Sequence, residues 1–357
     1  MTSRPHYRVA QWATGTIGRR ALRAIIEHPA MTLTGVHVHT PAKAGLDAGE
    51  LCGTAPIGVR ATTDIEQILA ARPDCVLYMP LAFDADEVCR LLAAGIDVVT
   101  TCGRFHHPDS TDPALRARVD AACARGRATV HSAGSSPGFI TESLPLTLLS
   151  LQRELTALTI DEYADLSRRP SPELLFGIMG FGRAAPADAP SRAAHLRESF
   201  GPSLRSVAAT VGLPLDELTA HAEFAPARAD VTIAAGTIRA GTVAAQRVTV
   251  TGLHRGAPLL TFRASWYCTR DVEADWRLGD TGWHVSVVGD APLEADLRLA
   301  VEVDRMAEVS PGYTAHRAVN AIPAVCAAEP GIVTSAELPR IVSDLRPGRR
   351  DPLSSIS

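Results

Sequence analysis

Tyr7-Arg-Val-Ala-Gln-Trp-Ala-Thr-Gly-Thr-Ile-Gly18, running directly into Arg-Arg-Ala-Leu-Arg-Ala-Ile-Ile-Glu27, is the stretch that decides how this chain is read. An apolar run of strand length ends in a glycine turn, and a helical run opens on the last glycine. In that order, unpaired backbone N–H groups and the positive end of the helix dipole converge on one point. Such a point binds the pyrophosphate of a dinucleotide. The turn reads Ala-x-Gly-x-x-Gly, with Ala13 where the first glycine usually sits, so Ala13, Thr14, Gly15, Thr16, Ile17 and Gly18 are the first candidate cofactor contacts.

Composition narrows the field before any further motif is used. At 357 residues and 46% hydrophobic, the chain is long enough for two domains with full cores. A formal net charge of -4 leaves no basic surplus, which argues against nucleic acid as a partner. No apolar stretch approaches the roughly 20 residues of a membrane span, and no apolar signal region precedes the first strand, so no membrane association and a cytoplasmic location are expected. Seven cysteines, Cys52, Cys75, Cys89, Cys102, Cys123, Cys268 and Cys326, are odd in number and never spaced Cys-x-x-Cys. Neither a disulfide framework nor a metal site is expected.

Working outward from the glycine turn, strands are expected at 33–39, 75–79, 97–101 and 128–131. Helices are expected between them at 63–71, 84–94 and 112–125. This alternation builds right-handed βαβ units, hence an N-terminal Rossmann domain with a parallel sheet. From about residue 150 the pattern becomes β-rich. Strands are expected near 155–163, 230–239, 246–254, 258–269 and 282–288, with a loop at 184–190 and helical segments to about 221. The turn signals joining the later strands point to antiparallel pairing. The fold class is therefore α/β, with a second α/β domain on an open mixed or antiparallel sheet. The expected domains are 1–140, 141–312 for substrate and dimer contacts, and a C-terminal helix and tail over 313–357 packing back on the first. That helix is read at 312–328.

Three further segments bear on chemistry. The end of the second strand, His37-Val-His-Thr-Pro-Ala-Lys43, has no carboxylate before Asp47, which favours NADP over NAD and makes Thr40 and Lys43 candidate contacts. The loops Met79-Pro-Leu-Ala82 and Thr101-Cys-Gly-Arg-Phe-His-His-Pro108 should face the nicotinamide, which singles out Met79, Pro80, Thr101 and Cys102. Arg104 and His106 in the second loop are the residue types that polarise or protonate a carbonyl or imine as hydride arrives. Cys102 read as a nucleophile would instead make a dehydrogenase of acyl substrates, but no base is placed beside it. The loop Ala133-Gly-Ser-Ser-Pro-Gly-Phe139, at the carboxyl edge of the sheet, adds Gly134 and Ser136 for the cofactor and Phe139 for the substrate. Met179 is a further candidate substrate contact. At the end of the strand near 155–163, Glu162 and Tyr163 point to opposite faces, so at most one, Tyr163 in this reading, faces a cleft between domains. His316 and Asn320, four apart, share a helix face and are also candidates.

Gln11-Trp-Ala-Thr-Gly-Thr-Ile-Gly18, Thr40-Pro-Ala-Lys-Ala-Gly-Leu-Asp-Ala-Gly-Glu50, Gly134-Ser-Ser-Pro-Gly-Phe139 and Val319-Asn-Ala-Ile-Pro-Ala-Val325 with Pro330-Gly331 occur in that order. Together they resemble the dihydrodipicolinate-reductase-like superfamily, and within it the branch of 2,4-diaminopentanoate dehydrogenase and native amine dehydrogenases. The resemblance implies a homodimer joined through the second domain and NADP(H)- or NAD(H)-dependent reductive amination of ketones, or its reverse. Two departures stand out. Arg104 occupies the loop where relatives carry a glutamate for the ammonium group, and Ser136 stands where relatives have asparagine. A cation there repels an amine and attracts a carboxylate or oxyanion. The expected function is hydride transfer to or from a C=N or C=O carbon of a small carbonyl, imine or amine in an interdomain cleft. The rival expectation is a catalytically altered NADP(H) sensor.

Overall fold

A computed structural model describes residues 5–185 and 189–346, and the chain divides into two compact units, 1–139 with 310–357 and 140–309. The first unit runs β1 (Tyr7–Trp12), α1 (Thr16–Ile26), β2 (Met31–His37), α2 (Ala48–Cys52), β3 (Ala61–Thr62), α3 (Ile65–Ala71), β4 (Cys75–Tyr78), α4 (Ala85–Ala93), β5 (Asp97–Thr100), α5 (Pro113–Gly126) and β6 (Thr129–Ser132). A late strand, Gly331–Ile332, completes a seven-stranded sheet in the order β3-β2-β1-β4-β5-β6-late strand, with every pairing parallel. The order reverses between β1 and β4. The glycine turn leaves the carboxyl end of β1 at that switch point, where open α/β sheets bind ligands.

Strand alternation sorts the core into two layers. Val9, Leu77 and Val99 face α1 and the late helix, against Leu22, Ile25, Ala318, Val319 and Ile322. Ala10, Val76, Tyr78 and Val98 face the other way, against Ile68, Val88, Leu91, Leu92 and Val119. Strands buried on both faces read as near-continuous apolar runs, as β4 does. Asp64, Asp84 and Asp112 cap α3, α4 and α5 through their carboxylates, which sets the helix starts within a residue or two of the expected ones.

The second unit contains α6 (Leu144–Leu149), β7 (Leu155–Asp165), α7 (Ala189–Thr210), β8 (Glu217–Pro226), β9 (Val231–Ile233), β10 (Gly236–Ile238), β11 (Val243–His254), β12 (Ala257–Tyr267), β13 (Gly282–Gly289) and β14 (Leu293–Arg298). Its six-stranded sheet is ordered β14-β13-β7-β12-β11-β8 and is mixed, because β7 and β12 run parallel while their neighbours pair antiparallel. α7 covers one face, with Phe200 stacked on Phe262 at 4.0 Å between ring centroids.

Several expectations need correction. The helical reading to residue 221 ends at Thr210. From Glu217 the alternation Glu-Leu-Thr-Ala-His-Ala-Glu-Phe has period two and forms strand β8. The expected strand at 230–239 is a small hairpin, β9 and β10, folded back at Ala234-Ala235, with Gly236 opening β10 at φ +144°. α6 begins at Leu144, after an irregular turn over Ser135–Ser143. The late helix, expected at 312–328, spans Val303–Val325 and passes through Pro311. The expected loop at 184–190 and tail to 357 lie partly outside the described residues.

Phe262 is fully buried against Phe200. Phe262→Ala should lower stability by about 3–5 kcal/mol, read from the midpoint of a denaturant titration. A loss under 1 kcal/mol would show that the stack does not hold α7 on the sheet.

Candidate cofactor and catalytic site

The glycine turn is built around the Ala13 carbonyl. A Cβ on Gly18 would stand 2.2 Å from that oxygen, so only glycine lets α1 come this close to the end of β1. The same oxygen accepts a hydrogen bond from Gln11 Nε2 at 2.9 Å, and the Ala13 N–H donates to the His37 carbonyl at 2.8 Å, tying the turn to β2. Ala13 pays for its place with φ +69°, the left-handed region that a first glycine would enter freely. Gly15 caps α1 without any side-chain partner, the first turn of α1 contains no acid, and a Cβ on Gly15 would meet nothing within 4 Å. The opening N–H groups of α1 therefore face open space at the positive end of an 11-residue helix. This cradle fits a dinucleotide pyrophosphate.

Beyond β2 the polar groups sort themselves by what they are already bonded to. Lys43 Nζ donates to both Thr14 O and Thr14 Oγ1 at 3.2 Å, which places its charge on the glycine turn. Asp47, the first acid after β2, accepts from the N–H groups of Ile57, Gly49 and Gly58, and those bonds hold its carboxyl below the usual range. It is spent on its own loop. Thr40 and His39 are exposed, while His37 stacks on Trp12 at 3.7 Å and 15° and bonds the Thr63 carbonyl through Nε2. Burial first, then the neighbouring His39, lower His37 to about 4.

Behind β4 and β5, Met79 and Pro80 are buried, and Met79 N–H donates to the Trp12 carbonyl at 3.1 Å. Thr101 and Cys102 are half-buried. Burial pushes the Cys102 thiol up, which works against its use as a nucleophile. Ser132 Oγ organises this loop by donating to the Cys102 carbonyl at 2.6 Å and accepting from Phe105 N–H at 3.1 Å. Arg104 is exposed, with its guanidinium 5.3 Å from the Phe83 ring centre and no ion pair among the described residues. His106 is buried, and a Cβ on Gly138 would stand 3.7 Å from its Cε1. The structure thus brings His106 to the loop around Gly138, while the Arg104 guanidinium lies over Phe83.

That loop is locked from within. A Cβ on Gly134 would meet Pro137 O at 2.6 Å, Gly138 adopts φ +121°, and Ser135 Oγ lies 2.7 Å from Thr314 Oγ1 on the late helix. Ser136 is half-buried, and Phe139 lies beneath the Arg317 guanidinium at 5.6 Å. On the same helix, burial and then the Arg20 charge push His316 below its ordinary value, while Asn320 Nδ2 donates to Ser343 Oγ at 3.0 Å. Asn320 is therefore engaged by the tail. Phe83, Ser132, Ser135 and Thr314 escaped the sequence reading because isolated aromatic and hydroxyl residues carry no periodic signal.

In the second unit, Tyr163 packs against Gly279 beside the Asp161–Arg263 ion pair of 3.0 Å, and burial raises its phenol. Glu162, on the other face of β7, accepts from the indoles of Trp266 at 3.2 Å and Trp283 at 2.8 Å. Met179 packs on that unit's own core with Leu175 and Phe181.

Residues 12–100 match the family described as dihydrodipicolinate reductase, N-terminus, and residues 193–347 match the 2,4-diaminopentanoate dehydrogenase C-terminal domain. The two halves of the chain are thus similar to the dihydrodipicolinate reductase N-terminal and the 2,4-diaminopentanoate dehydrogenase C-terminal families respectively. An amine dehydrogenase from Streptomyces virginiae is 29% identical over 95% of this chain and 98% of its own length. A 4-hydroxy-tetrahydrodipicolinate reductase from Synechocystis is 34% identical over 61 residues, 17% of this chain and 22% of its own. The solved amine dehydrogenase from Mycobacterium smegmatis superposes with a TM-score of 0.75 at 20% identity, over 96% of this chain and 98% of that one.

His37 yields a pH prediction. With a folded value near 4 against 6.5 unfolded, the unfolded chain binds the proton more tightly, so the penalty is absent above pH 6.5 and complete below about 4. It is on the order of 3 kcal/mol. Asp97, raised to about 6 by burial, works in the opposite sense. Its contribution is present below pH 3.8 and fades as pH rises through 6. In urea titrations from pH 7 to 4, His37→Phe should hold its stability better than the wild type; parallel curves would refute the assignment.

Proposed function

We propose that this protein is an NAD(P)-dependent oxidoreductase of the amine dehydrogenase type that moves hydride to or from a C=N or C=O carbon. The uncapped, acid-free start of α1 at the sheet's switch point carries the reading, and the full-length likeness to an amine dehydrogenase gives the reaction class. NADP(H) is the proposed preferred cofactor, with NAD(H) the weaker ligand. Two facts support this: Lys43 sits on the glycine turn and Asp47 is consumed by backbone N–H groups. We place the protein in the cytoplasm.

Bound at this turn, a reduced nicotinamide supplies the hydride. The remaining work falls to the chain. The N–H groups of Gly15 to Gly18 hold the pyrophosphate, Thr14, Thr40 and Lys43 take the adenosine ribose and its phosphate, and Met79, Pro80, Thr101, Cys102, Gly134 and Ser136 orient the ring. Arg104 stabilises negative charge gathering on the substrate oxygen, and His106 delivers the proton that completes the alcohol or amine. Because Arg104 is cationic, the reading favours carbonyl substrates, or those bearing a carboxylate, over free amines.

Titration with NADPH and NADH tests the cofactor half. Lys43→Ala should weaken NADPH roughly tenfold, as expected for loss of a charge-assisted bond, and leave NADH nearly unchanged. Equal effects on both would remove Lys43 from the phosphate. Arg104→Ala should lower kcat/KM with keto substrates by on the order of a hundredfold, and unchanged turnover would take it out of the mechanism. We also propose a homodimer joined through the second unit, whose sheet face opposite α7 carries Thr159, Asp161, Thr261 and Arg263. Sedimentation should return twice the chain mass.

A further inference from the structure

Gln246, near the start of β11, is completely buried, yet only one end of its amide is used. Its Oε1 accepts from Arg192 Nη1 at 3.0 Å. A guanidinium can only donate, so this bond fixes which way the amide points. Nε2, a donor, is left without an acceptor among the described residues. Buried amides are nearly always paired, and one turned this way by a cation marks a place where an acceptor belongs.

Arg192, in the first turn of α7, carries the matching surplus. It is half-buried, and burial pushes its guanidinium below the ordinary value. Besides Gln246 it meets the Ile178 carbonyl, to which Nη2 donates at 3.1 Å, and the Phe224 ring, whose centre lies 5.9 Å away. Neither carries a full negative charge, and no carboxylate pairs with Arg192 among the described residues. Strand pairing shows what else is near. Val250 pairs with Phe262, which stacks on Phe200 of α7, so Gln246, four residues from Val250, also faces α7. Its neighbours across the ladder on that face are Trp266 on β12 and Phe224 on β8. Two aromatic residues therefore flank the orphaned amide, and a partly desolvated cation is bonded to it.

We propose that Arg192 and Gln246 form a carboxylate-binding site within the second unit. One carboxylate oxygen takes the guanidinium and the other takes Nε2, while Trp266 and Phe224 hold the carbon chain. A flat acceptor with two oxygens suits two adjacent donors, whereas a phosphate calls for more donors than this pair offers. The same anion satisfies the buried amide and compensates the desolvated charge. As a substrate class, this makes the ligand an oxo acid or its amino-acid counterpart, a step that rests on the hydride-transfer reading above.

Calorimetric titration of the full-length protein, with and without NADPH, uses 2-oxopentanoate, 2-oxo-4-phenylbutanoate and the neutral amide of each. An acid of this set should bind at least roughly tenfold tighter than its amide. Arg192→Met should erase that preference, Gln246→Leu should weaken acid binding roughly tenfold, and Arg192→Lys, which keeps the charge and loses the fork, should fall between. Should Gln246→Leu fail to fold, the two Arg192 variants, at a half-exposed position, decide alone. Equal binding of acid and amide by the wild type overturns the proposal, as does an acid preference that survives Arg192→Met, or displacement of the acid by an equal concentration of inorganic phosphate. Acid-selective binding by a chain that oxidises no NADPH upholds the site and sinks the reaction reading. NADPH oxidation by neutral ketones with no preference for acids upholds the reaction and overturns the site.

Discussion

The contact between Gly18 and the Ala13 carbonyl is the constraint on which the first unit depends. At that separation no side chain fits, so the start of α1 is pinned against the end of β1. The Ala13 carbonyl also receives the Gln11 amide, and the Ala13 N–H reaches β2, so one residue joins strand, helix and neighbouring strand. Everything that follows inherits this geometry. The parallel order places β4 on the other side of β1, and the open N–H groups of α1 look into the gap the reversal creates. Alanine at φ +69° costs on the order of 1–2 kcal/mol relative to glycine, which the two hydrogen bonds on its backbone, from Gln11 Nε2 and to the His37 carbonyl, offset.

Charge around this turn follows a single logic once bonded groups are set aside. Asp47 is satisfied by three N–H groups, His37 is kept neutral near pH 7 by burial, and Lys43 is held on Thr14. What remains toward solvent is positive: the helix terminus, Lys43, and Arg19. A region assembled this way selects anions without needing a surplus of basic residues in the chain as a whole. The net charge of -4 and the local field are therefore compatible.

The parts of the fold that were legible in the sequence are those carried by a period or a cap. The Rossmann strands announced themselves as short apolar runs, and aspartates at positions 64, 84 and 112 marked the helix starts. The second unit was harder, since a strand such as β8 alternates Glu, Thr and His with small residues whose apolar signal is weak, and a parallel pairing between β7 and β12 depends on contacts about a hundred residues apart. The late helix starts before the expected residue 312 and continues through Pro311, with Gly312, Ala315, Ala318 and Val319 buried beyond it. At the candidate site, the residues named from the sequence are those that sit in motifs, and those placed by single contacts carry no such signal. Phe83 beneath Arg104, and Ser132 bridging Cys102 to Phe105, have no sequence signature at all.

Arg104 is where fold and chemistry separate most clearly. The backbone of its loop is held by Ser132 and by the Thr111 hydroxyl, which donates to the Arg104 carbonyl at 2.7 Å, and none of these bonds involves the guanidinium. Among the described residues the guanidinium meets the face of Phe83, an aromatic support that orients a cation without neutralising it. A loop built this way can exchange a carboxylate for a guanidinium without disturbing the sheet beneath it. The scaffold then keeps its cofactor turn while the sign of the charge offered to the substrate inverts. In the function we propose, Arg104 sets the substrate class from an exposed position, and the buried framework, conditioned by Gly18 and Ala13, is indifferent to that choice.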